Sequence, residues 1–205
     1  MNQKLFLYCM SVFALMALSG CAWLYEAGGQ PEAQNGTDMS EADLQISDFS
    51  FTNQDGKTVS NEDLEGDYWL ANMVFTSCPT VCTLMTPNML NIQGKLEKEN
   101  AVIPFVSFTV DPEFDDPDQL KKYGEDYGAD MENWHFLTGY SDEDIKELSA
   151  ESFKSVVEKD PENNDITHAT SFFLIDEDGS VVRRYDGLDN DIDPVVEDIK
   201  ALKEG

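Results

Sequence analysis

The chain has 205 residues, with 41 acidic and 13 basic side chains and a formal net charge of -28 at pH 7. This acidity excludes nucleic acid as a partner and disfavours direct binding to an anionic membrane surface, because both require positive charge. The length predicts one domain with a substantial core. Of the four cysteines, Cys9 and Cys21 belong to the N-terminal segment described next, and the single pair that remains excludes the disulfide framework of a small secreted protein.

The N-terminus is typical of a secretory signal. Lys4 precedes a mostly apolar stretch, residues 5–18, that is too short to span a membrane. It ends in Leu-Ser-Gly-Cys, which resembles the lipobox of bacterial lipoproteins and predicts lipidation of Cys21. An uncleaved signal anchor with an incidental cysteine is the alternative. We expect a signal peptide over residues 1–20, and the polar composition of residues 21–43 predicts a flexible tether.

Residue 44 begins a region in which strand and helix patterns alternate. In residues 45–51 polar and apolar side chains alternate, residues 53–57 have the composition of a turn, and residues 58–59 begin a second strand. This pattern predicts a β-hairpin, and a short helical turn follows it. The nearly continuous apolar run over residues 68–76 predicts a strand that is buried on both faces. Apolar residues at helical spacing follow, and Pro87 lies either within this helix as a kink or in its first turn.

The remaining elements are predicted from apolar patterns and capping residues, such as Asp116 before Pro117 and Ser141 before Asp144. They are a strand over residues 101–110, a helix to about residue 127, a strand over 134–137, a helix to about 153, strands over 170–175 and 181–185, and a helix over 194–203. This order predicts an α/β fold over residues 44–205. It has a central, mostly parallel sheet with flanking helices, an N-terminal β-hairpin, and a C-terminal antiparallel hairpin plus helix.

Cys78 and Cys82 stand where the strand over residues 68–76 gives way to the helix. Residues four apart share one face of a helical turn, so both sulfurs can point at one metal ion or at each other. A helix N-terminus favours the thiolate, and we therefore expect a lowered cysteine pKa here. Disulfide exchange, peroxide reduction and soft-metal binding all fit such a pair.

The number of available ligands narrows the choice of metal. A structural zinc site requires four protein ligands and an iron–sulfur cluster usually four cysteines, which leaves copper as the best match. The chain has two histidines. His168 lies in a polar loop and is the candidate ligand, whereas His135 lies inside a strand pattern and is expected to be structural. Met85 and Met89 have the helical spacing of core residues.

The layout resembles the thioredoxin superfamily, because Pro87 follows Cys82 by five residues. The chain departs from thioredoxins in two ways. Three residues separate the cysteines where thioredoxins have two, and His168 lies in the loop where thioredoxins carry a cis-proline. Four ordered blocks resemble more closely the Sco/SenC family, copper-binding thioredoxin-like proteins that assist cytochrome c oxidase assembly. The blocks are residues 75–89, 108–123, 134–139 and 168–176, and the resemblance spans about residues 44–203.

The resemblance implies that Cys78, Cys82 and His168 bind Cu(I) or Cu(II), and that Asp111 either supports the site or only ends its strand. It implies a metallochaperone, not an enzyme. The protein would be lipid-anchored outside the cytoplasmic membrane, and would serve the copper-site subunit of the oxidase together with thiol reductant proteins.

Two other functions are alternatives to a metallochaperone. One is a thiol-disulfide oxidoreductase that keeps the oxidase cysteines reduced. The other, a peroxidase, is disfavoured because Phe75 occupies the position where peroxiredoxins have threonine, three residues before Cys78. A monomer is the expected state.

Overall fold

The computed structural model describes residues 36–78, 81–162 and 165–204. The predicted signal peptide, the predicted lipidation site at Cys21 and most of the predicted tether lie outside these residues. Residues 34–205 form one compact unit. No helix among the described residues has the length and apolar character needed to cross a membrane.

The described residues form ten strands and four α-helices. The strands are β1 (Thr37–Asp38), β2 (Ser50–Asn53), β3 (Thr58–Ser60), β4 (Trp69–Val74), β5 (Phe105–Thr109), β6 (Trp134–Thr138), β7 (Glu158–Lys159), β8 (Ile166–Thr167), β9 (Ser171–Ile175) and β10 (Val181–Asp186). The helices are α1 (Cys82–Lys98), α2 (Pro117–Tyr127), α3 (Asp142–Phe153) and α4 (Asp193–Glu204), and short 3-10 turns cover Ser40–Ala42 and Asn61–Asp63.

Eight strands form a mixed sheet in the order β1-β10-β9-β4-β5-β6-β2-β3. Parallel pairing is confined to β4, β5 and β6 in its centre, where α1 and α2 supply the crossovers that parallel neighbours require. The hairpin β2–β3 and the hairpin β9–β10 add antiparallel strands on either side. The α/β fold with an N-terminal and a C-terminal hairpin is confirmed, but the sheet is mixed and not mostly parallel, because the strands outside its centre pair in the antiparallel direction.

Successive side chains of β4 enter two different apolar clusters, as the period of a strand that is buried on both faces requires. Trp69, Ala71 and Met73 pack in a cluster that includes residues of α3. Leu70 and Val74 pack in a second cluster with residues of α1, α2 and α4. Helices therefore cover both faces of the sheet, and the strand that leads to Cys78 is fixed from both sides.

The helix boundaries follow the local chemistry of the chain. Asp116 accepts a hydrogen bond from the Gln119 amide at the start of α2, and Ser141 forms a capping box with Asp144 at the start of α3. The helix α1 begins at Cys82, so Pro87 lies inside it and not in its first turn.

The predicted tether is wrong at its C-terminal end. Thr37 and Asp38 pair with Arg184 and Arg183 of β10, and the Arg183 guanidinium lies 2.7 Å from the Asp38 carboxylate. Backbone pairing and this ion pair order a segment whose composition indicated flexibility. Because β1 is antiparallel to β10, and β10 runs in the direction of β4, the chain enters β1 at the carboxyl end of β4.

The polar loop predicted around His168 includes two short strands. β7 and β8 form a separate two-stranded hairpin, in which Glu158 pairs with Thr167 and Lys159 with Ile166. Strands of two residues are too short to show an alternating pattern, which explains why the sequence did not indicate them.

Candidate metal centre

The cysteine pair occupies the loop between β4 and α1. Phe75 continues the buried run, and the Cys78 amide donates to its carbonyl oxygen over 3.2 Å. Cys82 is the first residue of α1, and its amide donates to the Cys78 sulfur over 3.4 Å. Both residues are thiols, with Cys78 half-buried and Cys82 buried. The end of the strand and the start of the helix therefore place the Cys78 sulfur beside the first amide of α1.

His168 follows β8 directly and reaches the buried thiol. Its Nε2 atom lies 4.0 Å from the Cys82 Sγ atom, and its ring packs edge-on against Phe75 with centroids 5.7 Å apart. Its Nδ1 atom lies 2.9 Å from the Ala169 carbonyl oxygen. A carbonyl can only accept, so Nδ1 carries a proton, and in the neutral ring the lone pair of Nε2 faces the sulfur.

The pKa of Cys82 shifts in the direction opposite to the prediction. Burial, followed by the neighbouring Cys78 thiol and the Asp115 carboxylate, raises it well above the ordinary cysteine value. The prediction considered only the helix N-terminus, whereas the side chain is 2% exposed and its thiolate would lose almost all hydration. A bound metal cation would replace the thiol proton and balance the charge of the thiolate, which would compensate for the lost hydration.

Asp115 is a buried carboxylate that the sequence analysis missed. It is fully buried and accepts hydrogen bonds from the Thr76 amide, the Thr76 hydroxyl and the Thr109 hydroxyl. Burial outweighs these bonds and raises its pKa. Asp115 thus ties the segment just before Cys78 to the end of β5. In the sequence, Asp115 is distinguished only by its position next to the helix-capping Asp116. Two adjacent aspartates do not reveal which of them is buried.

Asp111 ends β5, as the sequence indicated. Its backbone carbonyl accepts from the amides of Phe114 and Asp115, and its side chain forms an ion pair with Lys159 over 3.1 Å. Asp111 therefore connects the loop after β5 to the hairpin that precedes His168. Its role in the site itself stays a prediction.

The other candidate side chains take the structural roles expected of them. Met85 and Met89 are fully buried in the cluster around α1. His135 is half-buried on β6, with Nδ1 3.5 Å from the Asn53 amide nitrogen, and burial lowers its pKa.

The thiol and imidazole are compatible with a shared soft metal ion. Bonds to zinc are about 2.3 Å long from sulfur and about 2.0 Å long from nitrogen, so ligand atoms up to about 4.3 Å apart can bind one ion of similar size. Cys82 Sγ and His168 Nε2 lie 4.0 Å apart, within this limit. No three His, Cys, Asp or Glu side chains in the described part of the chain are yet arranged to hold a metal. The structure therefore brings together the Cys82 thiol and the His168 imidazole, and the Cys78 sulfur lies 3.4 Å from the Cys82 amide nitrogen.

Comparisons with known proteins identify relatives of this domain. The SCO1/SenC family model matches residues 37–204. A SCO1/SenC family lipoprotein from Bacillus anthracis is 43% identical, with a TM-score of 0.76 over 78% of this chain and 96% of that one. BsSco, a Sco-family cytochrome c oxidase assembly protein with a disulfide switch, is 43% identical, with a TM-score of 0.73 over 79% and 95%. Bradyrhizobium japonicum ScoI with copper bound is 26% identical, with a TM-score of 0.60 over 78% and 98%.

Proposed function

The chain belongs to the SCO1/SenC family, and from this premise we propose that it is a membrane-anchored copper metallochaperone for cytochrome c oxidase. Cys78, Cys82 and His168 would hold the copper ion as cargo. The observation that carries the proposal is the approach of His168 Nε2 to the buried Cys82 sulfur, with Nδ1 held at a carbonyl. The copper-bound relative and the oxidase assembly relative support it.

Each ligand has a distinct part in this proposal. The thiolates supply soft donors that suit Cu(I), and the imidazole adds a donor that Cu(II) also accepts. Oxidising both thiols to a disulfide would give two electrons and two protons to an acceptor and remove both sulfur ligands. Copper retention would therefore depend on the redox state of the pair.

Copper binding by the full-length protein, purified in detergent and fully reduced, tests the cargo site. We expect about one copper per chain, the stoichiometry of a single site built from these few ligands. The thiolate-to-copper absorption should disappear in Cys78→Ser and Cys82→Ser and weaken in His168→Ala. His135→Ala is the matched control and should behave as the wild type. Failure of the reduced wild type to bind copper tightly, or equal losses in both histidine variants, would reject the proposal.

The anchor is a separate part of the proposal. We propose that Cys21 is lipidated and holds the domain on the extracytoplasmic face of the cell membrane, which the lipoprotein relative supports. Cys21→Ala should move the protein from the membrane fraction to the soluble one. Retention of this variant in the membrane would instead favour an uncleaved signal anchor.

A thiol-disulfide oxidoreductase is the second candidate, favoured by the hydrogen bond from the Cys82 amide to the Cys78 sulfur. This bond would stabilise a Cys78 thiolate. That thiolate would attack a partner disulfide, and Cys82 would then displace the partner thiol, so that the partner gains two electrons and the pair becomes a disulfide. If this activity dominates, His168→Ala should leave the reduction of a model disulfide unchanged.

A further inference from the structure

The position of His168 depends on a small hairpin outside the main sheet. β7 and β8 contribute two residues each, and the Asp160 amide closes their turn on the Asp165 carbonyl oxygen over 2.8 Å. His168 follows β8 without a linker, so a displacement of the hairpin displaces the imidazole. Two buried side chains, Val157 and Ile166, attach the hairpin to the core. Apolar contact of this kind fixes burial but not the orientation of a ring.

Lys159 of β7 provides a directional attachment. Its ammonium lies 2.8 Å from the Asp142 carboxylate at the start of α3 and 3.1 Å from Asp111 in the loop after β5. Glu113 of the same loop is a third carboxylate at 3.7 Å. One cation thus joins the hairpin to two other segments. Its side chain is 33% exposed and those of Asp111 and Asp142 are 18% and 24% exposed, so solvent screens these pairs less than pairs on the open surface.

The attachment also reaches the cysteine segment. The loop that starts at Asp111 contains Asp115, whose carboxylate accepts from the Thr76 amide and hydroxyl, two residues before Cys78. Lys159 is therefore connected through one short loop to the segment that carries the thiols. Without its charge, the three carboxylates around it would repel one another, in a chain that already carries 41 acidic side chains.

We propose that Lys159 is a positioning residue, whose ion pairs with Asp111 and Asp142 hold the β7–β8 hairpin, and with it His168, at the distance from Cys82 that metal binding requires. The inference rests on the proposed cargo site, but the attachment itself exists without metal. Lys159 is not itself one of the proposed ligands. It acts by limiting where the imidazole can lie, so its loss leaves all three ligands present and less well arranged.

The test compares full-length Lys159→Met and Lys159→Arg with the wild type. Lys122→Met is the control, because Lys122 pairs with Asp126 on the exposed surface of α2. In the metal-free protein, hydrogen exchange of the amides of residues 158–168 should become roughly tenfold faster in Lys159→Met, as expected for the loss of a partly buried ion-pair cluster. The Lys159→Arg and Lys122→Met variants should exchange as the wild type does.

Copper binding supplies the second measurement. In competition with a chelator, Lys159→Met should bind copper roughly tenfold more weakly, a difference of about 1.4 kcal/mol, and Lys159→Arg should recover most of the affinity. The nitrogen hyperfine signal of the Cu(II) form should weaken in Lys159→Met alone. Unchanged exchange in Lys159→Met, or no recovery in Lys159→Arg, would overturn the inference. A wild type that binds no copper would reject the proposed function, while the exchange measurement would still decide whether Lys159 holds the hairpin.

Discussion

Replacing Asp115 with alanine removes the buried carboxylate that supports the Cys78 segment. The wild-type side chain accepts three hydrogen bonds, from the Thr76 amide and the hydroxyls of Thr76 and Thr109. A buried donor left without its partner costs about 1–3 kcal/mol, while removal of a dehydrated carboxylate recovers part of that cost. We therefore expect Asp115→Ala to lower the free energy of unfolding by about 3 kcal/mol.

Urea denaturation followed by tryptophan fluorescence measures this loss. With a slope of about 2 kcal/mol per molar urea, the midpoint should fall by about 1.5 M. Asp118→Asn is the control, because Asp118 is an exposed acid in the first turn of α2, and its midpoint should change by no more than about 0.3 M. A midpoint of Asp115→Ala within error of the wild type would refute the assigned role of the carboxylate.

Asp115→Asn separates the charge from the hydrogen bonds. Burial raises the pKa of Asp115 in the folded protein above its ordinary value of 3.8. Below that value both folded and unfolded chains are protonated, and above it the unfolded chain loses its proton first. The wild type should therefore lose stability relative to Asp115→Asn as the pH rises through about 3.8, and the loss should level off above the folded pKa. A difference that is constant with pH, or that changes in the opposite direction, would contradict this.

The remaining predictions concern packing and the N-terminal strand. Gly94→Ala should raise the free energy of unfolding by roughly 0.5–1 kcal/mol, because Gly94 lies inside α1 and an added Cβ meets nothing within 4 Å. Gly187→Ala should lower it by roughly 1–3 kcal/mol, since its Cβ would lie 2.9 Å from the Thr170 carbonyl oxygen. A urea midpoint that falls in Gly94→Ala would contradict the first prediction, and one that does not fall in Gly187→Ala would contradict the second. Arg183→Met removes the ion pair with Asp38 and should speed amide exchange in β1, whereas unchanged exchange would show that backbone pairing alone holds this strand.

Elements with long apolar runs or strong caps could be predicted from the sequence. β4 is buried on both faces over six residues, and α2 and α3 begin at side chains whose oxygens accept backbone amides. β1, β7 and β8 could not, because each has only two residues, and β1 also depends on a partner far along the chain. Arg183 is such a partner, since it orders a segment whose own composition is that of a linker.

In the candidate site, too, features set by nearby residues could be predicted, whereas features set by remote segments could not. Spacing places Cys78 and Cys82 in one turn, and the approach of His168 follows from its loop position and the family resemblance. The direction of the Cys82 pKa shift and the role of Asp115 depend on burial by remote parts of the chain. Lys159 was likewise indistinguishable from a solvated lysine, because its carboxylate partners lie on other segments.

β1 begins at the end of the sheet where the Cys78 segment leaves β4. Three strand spacings, about 14 Å, separate β1 from β4. If Cys21 carries the proposed anchor, the 14 residues from 22 to 35 could span about 50 Å at most. Such an anchor would keep the thiols within a limited distance of the bilayer. A recipient embedded in the same membrane would meet them at a local concentration that a freely diffusing carrier could not provide.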